Sequence, residues 1–219
     1  MKLGMLGGTF NPIHLGHLRV AEEIGWKLNL ELVYLIPSNL PPHKNTEQVV
    51  DFSHRLEMTR LASELSPMLK VWDIEGQRSG PSYSIDTLRL FHSHFGPDLE
   101  LFFIIGTDAF SFIKTWKEFR SLFKYTSFVV INRGKCKKRE FFSFIKSLDA
   151  NLVWDENKKC FCHPSGTVLL STDTTIMDIS ASRIRHMVAI GESIRFIVPE
   201  VVREYIEKKG LYLLNEATR

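Results

Sequence analysis

Two short stretches at opposite ends of the chain carry the residue types that handle phosphate. The first is Gly7-Gly8-Thr9-Phe10-Asn11-Pro12-Ile13-His14-Leu15-Gly16-His17. Paired glycines at the end of an apolar run let an anion approach the main chain without interference from a Cβ. The N–H groups that follow, at the start of a helix, supply partial positive charge. His14 and His17 stand one helical turn apart, so both can face the same end of that helix. Imidazoles donate hydrogen bonds to phosphate oxygens and carry charge near neutral pH. The plainer alternative is a strand–turn–helix corner with two surface histidines. The preceding glycines and strand weigh against it.

The second stretch is Ile179-Ser180-Ala181-Ser182-Arg183-Ile184-Arg185. A serine-rich turn opening a helix offers hydroxyl and N–H donors, and Arg185 offers a planar cation for phosphate oxygens. Alone, Ser182 reads as a helix N-cap and Arg185 as a solvated charge. Paired with the first stretch, both read as phosphate ligands.

The first stretch resembles the HxGH phosphate-binding signature of the nucleotidylyltransferase superfamily, and the second its ISSTxIR signature. Three further segments resemble the nicotinate-nucleotide adenylyltransferases. They are Pro37-Ser38-Asn39-Leu40-Pro41-Pro42-His43-Lys44, then Ser82-Tyr83-Ser84-Ile85-Asp86-Thr87, then Ile105-Gly106-Thr107-Asp108 with Thr115-Trp116. The ending, from Val198-Pro199-Glu200-Val201 to Gly210-Leu211-Tyr212, is also similar. Each segment has a plainer reading: Trp116 as a core aromatic, Asp108 as an N-cap, Tyr83 as packing on a sheet edge, the proline pair as an ordinary turn. Their joint order favours the resemblance.

The resemblance implies transfer of AMP from ATP to nicotinate mononucleotide, with Mg²⁺ accompanying ATP. It implies an ATP site from Gly7, Gly8, Thr9, Phe10, His14, Gly16, His17, Gly106, Asp108, Ile179, Ser180, Ser182 and Arg185, with His14, His17 and Arg185 in the chemistry. It implies a mononucleotide site from Lys44, Tyr83, Ser84, Trp116 and Arg133. Some positions depart from the family pattern. Asn11 stands where Asp is usual, Ala181 and Ser182 where Ser and Thr are usual, and Ser84 where Thr is usual. Asn132-Arg133-Gly134 lacks the usual proline.

The elements that must position these residues alternate. Leu3 to Leu6 reads as a buried strand ending at Gly7-Gly8, and Leu15 to Leu28 as a helix with Leu18, Ala21, Gly25 and Leu28 on one face. Leu32 to Ile36 is a strand stopped by Pro37. Ser53 is placed as the N-cap of a helix through Leu65. Leu69 to Ile74, Leu101 to Ile105, Ser127 to Ile131 and Val168 to Leu170 are strand candidates. Ser84 is placed as the cap of a helix to about His94, and another helix begins near Ser182. A last helix has Pro199 near its start, Lys208 and Lys209 in its last turn and Gly210 beyond. Such alternation specifies an α/β, Rossmann-like, doubly wound parallel sheet with helices on both faces. Ligands of such sheets sit past the strand ends, where these motifs fall.

Residues 133–166 break the rhythm, with a basic run from Lys135 to Arg139, a helix near Glu140 to Leu148 and all three cysteines. The stretch reads as inserted or variable. A zinc site from Cys136, Cys160, Cys162 and His163 has poor spacing, and free thiols fit better. The expected organisation is one nucleotidyltransferase domain over 1–219, with a C-terminal helical part from 182.

The 219 residues are 44% hydrophobic and 24% charged, ordinary for a globular domain with a sizeable core. A formal net charge of +3 is too mild to imply nucleic-acid binding. The basic run reads as solvated charge. No apolar run is long enough for a membrane span and the start is too short for a signal peptide, so a cytoplasmic location is expected. A homo-oligomer is left open. Two rival readings remain: a relative acting on pantetheine phosphate, flavin mononucleotide or nicotinamide mononucleotide, and a nucleotide sensor without turnover.

Overall fold

A computed structural model describes residues 1–41, 49–132 and 138–213. The chain runs β1 (Lys2–Gly8), α1 (Leu15–Lys27), β2 (Leu32–Pro37), α2 (Phe52–Ser63), β3 (Leu69–Val71), α3 (Ser84–Phe95), β4 (Glu100–Gly106), α4 (Thr107–Phe110), α5 (Phe119–Tyr125) and β5 (Ser127–Asn132). It continues through α6 (Lys138–Lys146), β6 (Val153–Asp155), β7 (Cys160–Cys162), β8 (Val168–Asp173), α7 (Ala181–Ala189) and α8 (Glu200–Lys209).

Period-two alternation sorts the strand residues into two layers. Leu3, Met5, Phe103, Ile105, Phe128 and Val130 join one buried cluster with Leu88, Phe91 and Leu122 of α3 and α5. Leu6, Val33, Leu35, Ile104, Val129 and Ile131 join the other, with Ala21, Met58, Ile184 and Val202 of α1, α2, α7 and α8. Every strand at the centre is therefore covered on both faces, as near-continuous apolar runs require. Each fully buried Phe or Leu of these layers contributes about 1.5–3 kcal/mol relative to exposure.

The sheet order is β3-β2-β1-β4-β5-β8-β7-β6. The pairs from β3 to β8 are parallel. The order reverses between β1 and β4, so the crevice beyond Gly8 and Gly106 is the topological switch point.

The sheet is not wholly parallel. The stretch expected to be an insertion adds two antiparallel strands, β6 and β7, which extend the edge beyond β8. Three-residue strands give too short an alternation to be read from a sequence. Cys160 and Cys162 of β7 are free thiols, and burial pushes the Cys160 thiol up to about 11. Cys136 and the basic residues at 135 and 137 lie outside the described residues.

Helix starts differ in detail from the sequence expectation. α2 begins after Asp51, whose carbonyl takes the N–H groups of His54 and Arg55, rather than at Ser53. Tyr83, not Ser84, occupies the N-cap of α3. Ser180, not Ser182, caps α7 by accepting the Arg183 N–H at 3.2 Å. α8 ends at Gly210 in the left-handed conformation with Lys208 and Lys209 in its last turn, the usual C-terminal punctuation.

Candidate active site

The turn after β1 is shaped by ring packing. Gly8 leaves room for the Phe10 ring: a Cβ there would lie 2.7 Å from Phe10 Cε1. Phe10 is buried with a φ of 47° and meets the His17 ring edge-on at 5.1 Å. Gly7 remains exposed at the strand end, so the main chain there is open to a ligand.

His14 and His17 stack with ring centroids 3.7 Å apart at 25°. The His14 N–H donates to His17 Nδ1 at 3.3 Å. With Nδ1 accepting, a neutral His17 carries its proton on Nε2. The two histidines are not equivalent. His14 is 4% exposed, inside the wall of the turn, whereas His17 is half-buried and lines a narrow cleft with Gly16, Leu6, Ile104, Gly106 and Ile131. Gly16 permits the stack, because a Cβ there would sit 3.1 Å from His14 Nδ1.

The second turn folds onto the first. Arg185 Nη1 donates to the Asn11 carbonyl at 2.9 Å, and its Nη2 reaches Ser182 Oγ at 3.4 Å. A Cβ at Gly16 would meet Ile179 Cβ at 3.9 Å. Ser180 and Ser182 stay exposed at this edge. Asn11 is a hub: its Oδ1 accepts from the Tyr212 hydroxyl at 2.9 Å and from the Val50 N–H at 3.4 Å. Burial pushes the Tyr212 phenol up, so it stays a donor at neutral pH. The amide oxygen fills the acceptor role that a carboxylate would fill here.

The segments around the expected mononucleotide site lie beyond the opposite face. Trp116 is half-buried, its ring 5.9 Å from Phe103 of β4. Tyr83 is also half-buried, with Lys117 Nζ 4.9 Å from its ring centroid. Both aromatics pack on the same core cluster, so each is partly a core residue. The Tyr83 N–H donates to the Pro81 carbonyl at 3.0 Å. Ser84, first in the helix, retains a main-chain N–H with no intrahelical acceptor. Asp108 is exposed in the first turn of α4, just after Gly106. Lys44 and Arg133 lie outside the described residues.

Four residues that hold this region together escaped the sequence reading as functional: Arg55, Glu75, Ser82 and Tyr212. Arg55 is 1% exposed and donates to the carbonyls of Val50, Thr9, Ser38 and Asn39. Burial pulls its pKa down. Ser82 Oγ accepts the N–H groups of Asn39 and Leu40 at 3.0 and 3.2 Å. Glu75 is buried and takes the Thr87 hydroxyl at 2.7 Å; burial pushes its carboxyl up. A signal existed for Arg55. It stands in phase with Met58, Thr59 and Ala62 on the buried stripe of α2, where a charge is out of place.

Comparison with known proteins finds relatives along nearly the whole chain. Residues 5–187 match the cytidylyltransferase-like family. A protein of Geotalea uraniireducens named "Probable nicotinate-nucleotide adenylyltransferase" is 40% identical, covering 97% of this chain and 98% of its own. One of the same name from Desulfatibacillum aliphaticivorans is 42% identical, covering 97% and 100%. The Plasmodium falciparum nicotinic acid mononucleotide adenylyltransferase complexed with NaAD superposes with a TM-score of 0.74 over 96% of this chain and 97% of its own, at 21% identity. At that identity the likeness speaks for the fold.

Proposed function

The chain belongs to the cytidylyltransferase-like family, within its nicotinate-nucleotide adenylyltransferases, and from that premise we propose that it acts as one unit that transfers AMP from ATP to nicotinate mononucleotide. The products are nicotinate adenine dinucleotide and pyrophosphate, and the step belongs to NAD biosynthesis. The observation that supports the reading best is the joining of the two phosphate-type turns through Arg185 and Asn11 at the mouth of the switch point.

ATP lies across the strand ends with its phosphates over the main chain of Gly7, Gly8 and Thr9. His17 and Arg185 meet the phosphate oxygens, with His14 stacked behind His17 and Ser182 beside Arg185. Phe10, Gly16, Ile179 and Ser180 shape the turns that carry them. Gly106 and Asp108 face the nucleoside. Trp116 and Tyr83 take the nicotinate ring, and the Ser84 N–H takes its carboxylate. Lys44 and Arg133 are assigned to the mononucleotide phosphate.

A phosphate oxygen of the mononucleotide attacks the α-phosphorus in line. The new P–O bond forms as the bond to the β-phosphate bridge breaks, and pyrophosphate leaves with the electron pair. The attacking phosphate is already an anion near neutral pH, so no general base is required. Catalysis is therefore positioning plus stabilisation of charge on the α-phosphate and the leaving pyrophosphate.

The donors at the turns are N–H groups and a guanidinium, which fit phosphate. Among the described residues no three carboxylates, histidines or cysteines converge as a metal site. Mg²⁺ is assigned to ATP, held by phosphate oxygens and water. No helix among the described residues is long and apolar enough to cross a membrane, and we assign the reaction to the cytoplasm.

The test is incubation of purified protein with ATP, Mg²⁺ and either nicotinate or nicotinamide mononucleotide, with the dinucleotide quantified. Dinucleotide from the acid is the expected product. A preference for the amide, or for another phosphorylated acceptor, would move the chain to a different branch of the superfamily.

A further inference from the structure

The buried guanidinium of Arg55 lies between two loops that must cooperate. Beyond the paired ends of β1 and β2, where Gly8 stands opposite Pro37, the chain splits into the turn carrying Thr9 and the loop carrying Ser38 and Asn39. Arg55 reaches both. Nη1 donates to the Thr9 carbonyl at 2.8 Å and to the Ser38 carbonyl at 2.6 Å, Nη2 to the Asn39 carbonyl at 3.1 Å, and Nε to the Val50 carbonyl at 3.0 Å. The Ser38 N–H adds a direct bond to the Gly8 carbonyl at 2.8 Å. From the other side, Ser82 Oγ accepts the Asn39 and Leu40 N–H groups, and the Ser82 N–H donates to the Leu40 carbonyl at 2.9 Å.

A cation in this place is costly. Burying a charge costs several kcal/mol, and an apolar side chain of similar volume would serve packing better. The four bonds go to carbonyls, and among the described residues no carboxylate forms an ion pair with the guanidinium, although the charge of Asp51 acts on it from nearby. A lysine ammonium cannot span the same acceptors, because only the guanidinium fork presents donors at fixed separations.

We propose that Arg55 is a positioning residue that locks the loop after β2 to the turn after β1, and thereby sets the distance between the attacking phosphate and the α-phosphorus. Its catalytic half rests on the adenylyl-transfer reading above; the clasp itself does not. The Thr9 turn is assigned to ATP, and the loop at Ser38 and Asn39 is bonded to Ser82, which adjoins the Tyr83 and Ser84 assigned to the nicotinate ring. Loss of the clasp leaves each substrate its own contacts but loosens their alignment, and misplacement by about 1 Å costs on the order of a hundredfold in rate.

The experiment compares wild type with Arg55→Gln, Arg55→Lys and Ser82→Ala. It measures kcat and both KM values, thermal melting, and amide hydrogen exchange at Ser38, Asn39 and Leu40. For Arg55→Gln, kcat is expected to fall by roughly ten- to a hundredfold. The KM for each substrate should change by less than about threefold, and exchange at the three amides should accelerate. Arg55→Lys should recover part of both effects. Should Arg55→Gln not fold, Arg55→Lys and Ser82→Ala decide the matter. Unchanged exchange in Arg55→Lys removes the clasp. Faster exchange in Ser82→Ala at Ser38, whose N–H is held by the Gly8 carbonyl and not by Ser82, with kcat within about twofold of wild type removes the link from loop position to rate. A wild-type protein that makes no dinucleotide sinks the adenylyl-transfer reading instead, while the exchange data still judge the clasp.

Discussion

Arg185 donates to the main-chain carbonyl of Asn11 at 2.9 Å, across 174 positions of sequence. The bond fixes the serine-rich turn of α7 against the glycine–histidine turn of β1 and α1, and leaves the second half of the guanidinium beside the Ser182 hydroxyl. One cation thus holds two loops together and, on the proposed reading, also faces a phosphate.

Arg185→Ala should show both losses. Removing a partner from a half-buried carbonyl costs about 1–2 kcal/mol of stability. Losing a transition-state donor should lower kcat by roughly a hundredfold. Arg185→Lys keeps the charge but not the fork, so it should recover stability more than turnover. Denaturant melts and steady-state kinetics on the same preparations read the two effects. A variant that is destabilised yet turns over normally would confine Arg185 to the joint.

His17→Ala should lower turnover by about 10²- to 10³-fold, the scale for one well-placed donor, with little loss of fold, because the ring is half-buried at a cleft. His14→Ala should cost more stability, since the deeply buried His14 ring is one half of the stack. Near-normal kcat in His17→Ala would take the imidazole out of the chemistry.

Trp116→Ala should raise the KM for nicotinate mononucleotide by about tenfold, the scale of one aromatic stacking contact, with kcat changed much less. Trp116→Phe should keep most of the binding. The ring also rests on Phe103, so melting temperatures must accompany the kinetics. A lower melting temperature with unaltered KM for the mononucleotide would make Trp116 a core residue only.

The central fold was legible because it is written in the longest signals. β1, β2, β4 and β5 are continuous apolar runs, and the glycines and prolines at their ends mark where the strands stop. The two turns stood out as candidate phosphate ligands because their residue types are chemically unusual together, and the structure brings them into contact. What escaped were contacts made through the main chain. Arg55 acts on carbonyls that have no side-chain identity, Ser82 on the N–H groups of a loop 42 and 43 positions away. Helix starts were misplaced by one or two residues for the same reason: at Ser53 and Ser182 a good capping side chain was present, but the main chain turned two residues earlier, at Asp51 and Ser180, and at Ser84 it turned one residue earlier, at Tyr83. The edge strands β6 and β7 depend on pairing with β8 rather than on their own pattern.

Glu23 ties α1 to the segment that leads into the second turn. Its Oε2 accepts the Thr175 N–H at 3.0 Å, and its carboxylate pairs with Lys27 at 2.9 Å and Arg19 at 3.2 Å. Lys27 in turn donates to the Asp173 carbonyl at 2.6 Å. The Lys27 contact, and then the Thr175 N–H, lower the Glu23 pKa from 4.5 to about 2. A depressed carboxylate pKa stabilises the folded state above the unfolded value, and the stabilisation is lost as pH falls through the folded one. Stability contributed by Glu23 should therefore be intact above pH 4.5 and drain away between there and about 2. Glu23→Gln should reduce stability at neutral pH and flatten this part of the acid titration, as followed by urea melts at successive pH values. Because the tether leads to Ile179 and Ser180, the same variant should loosen the second turn and raise the KM for ATP. A titration curve that Glu23→Gln leaves unchanged would place the acid sensitivity elsewhere in the protein.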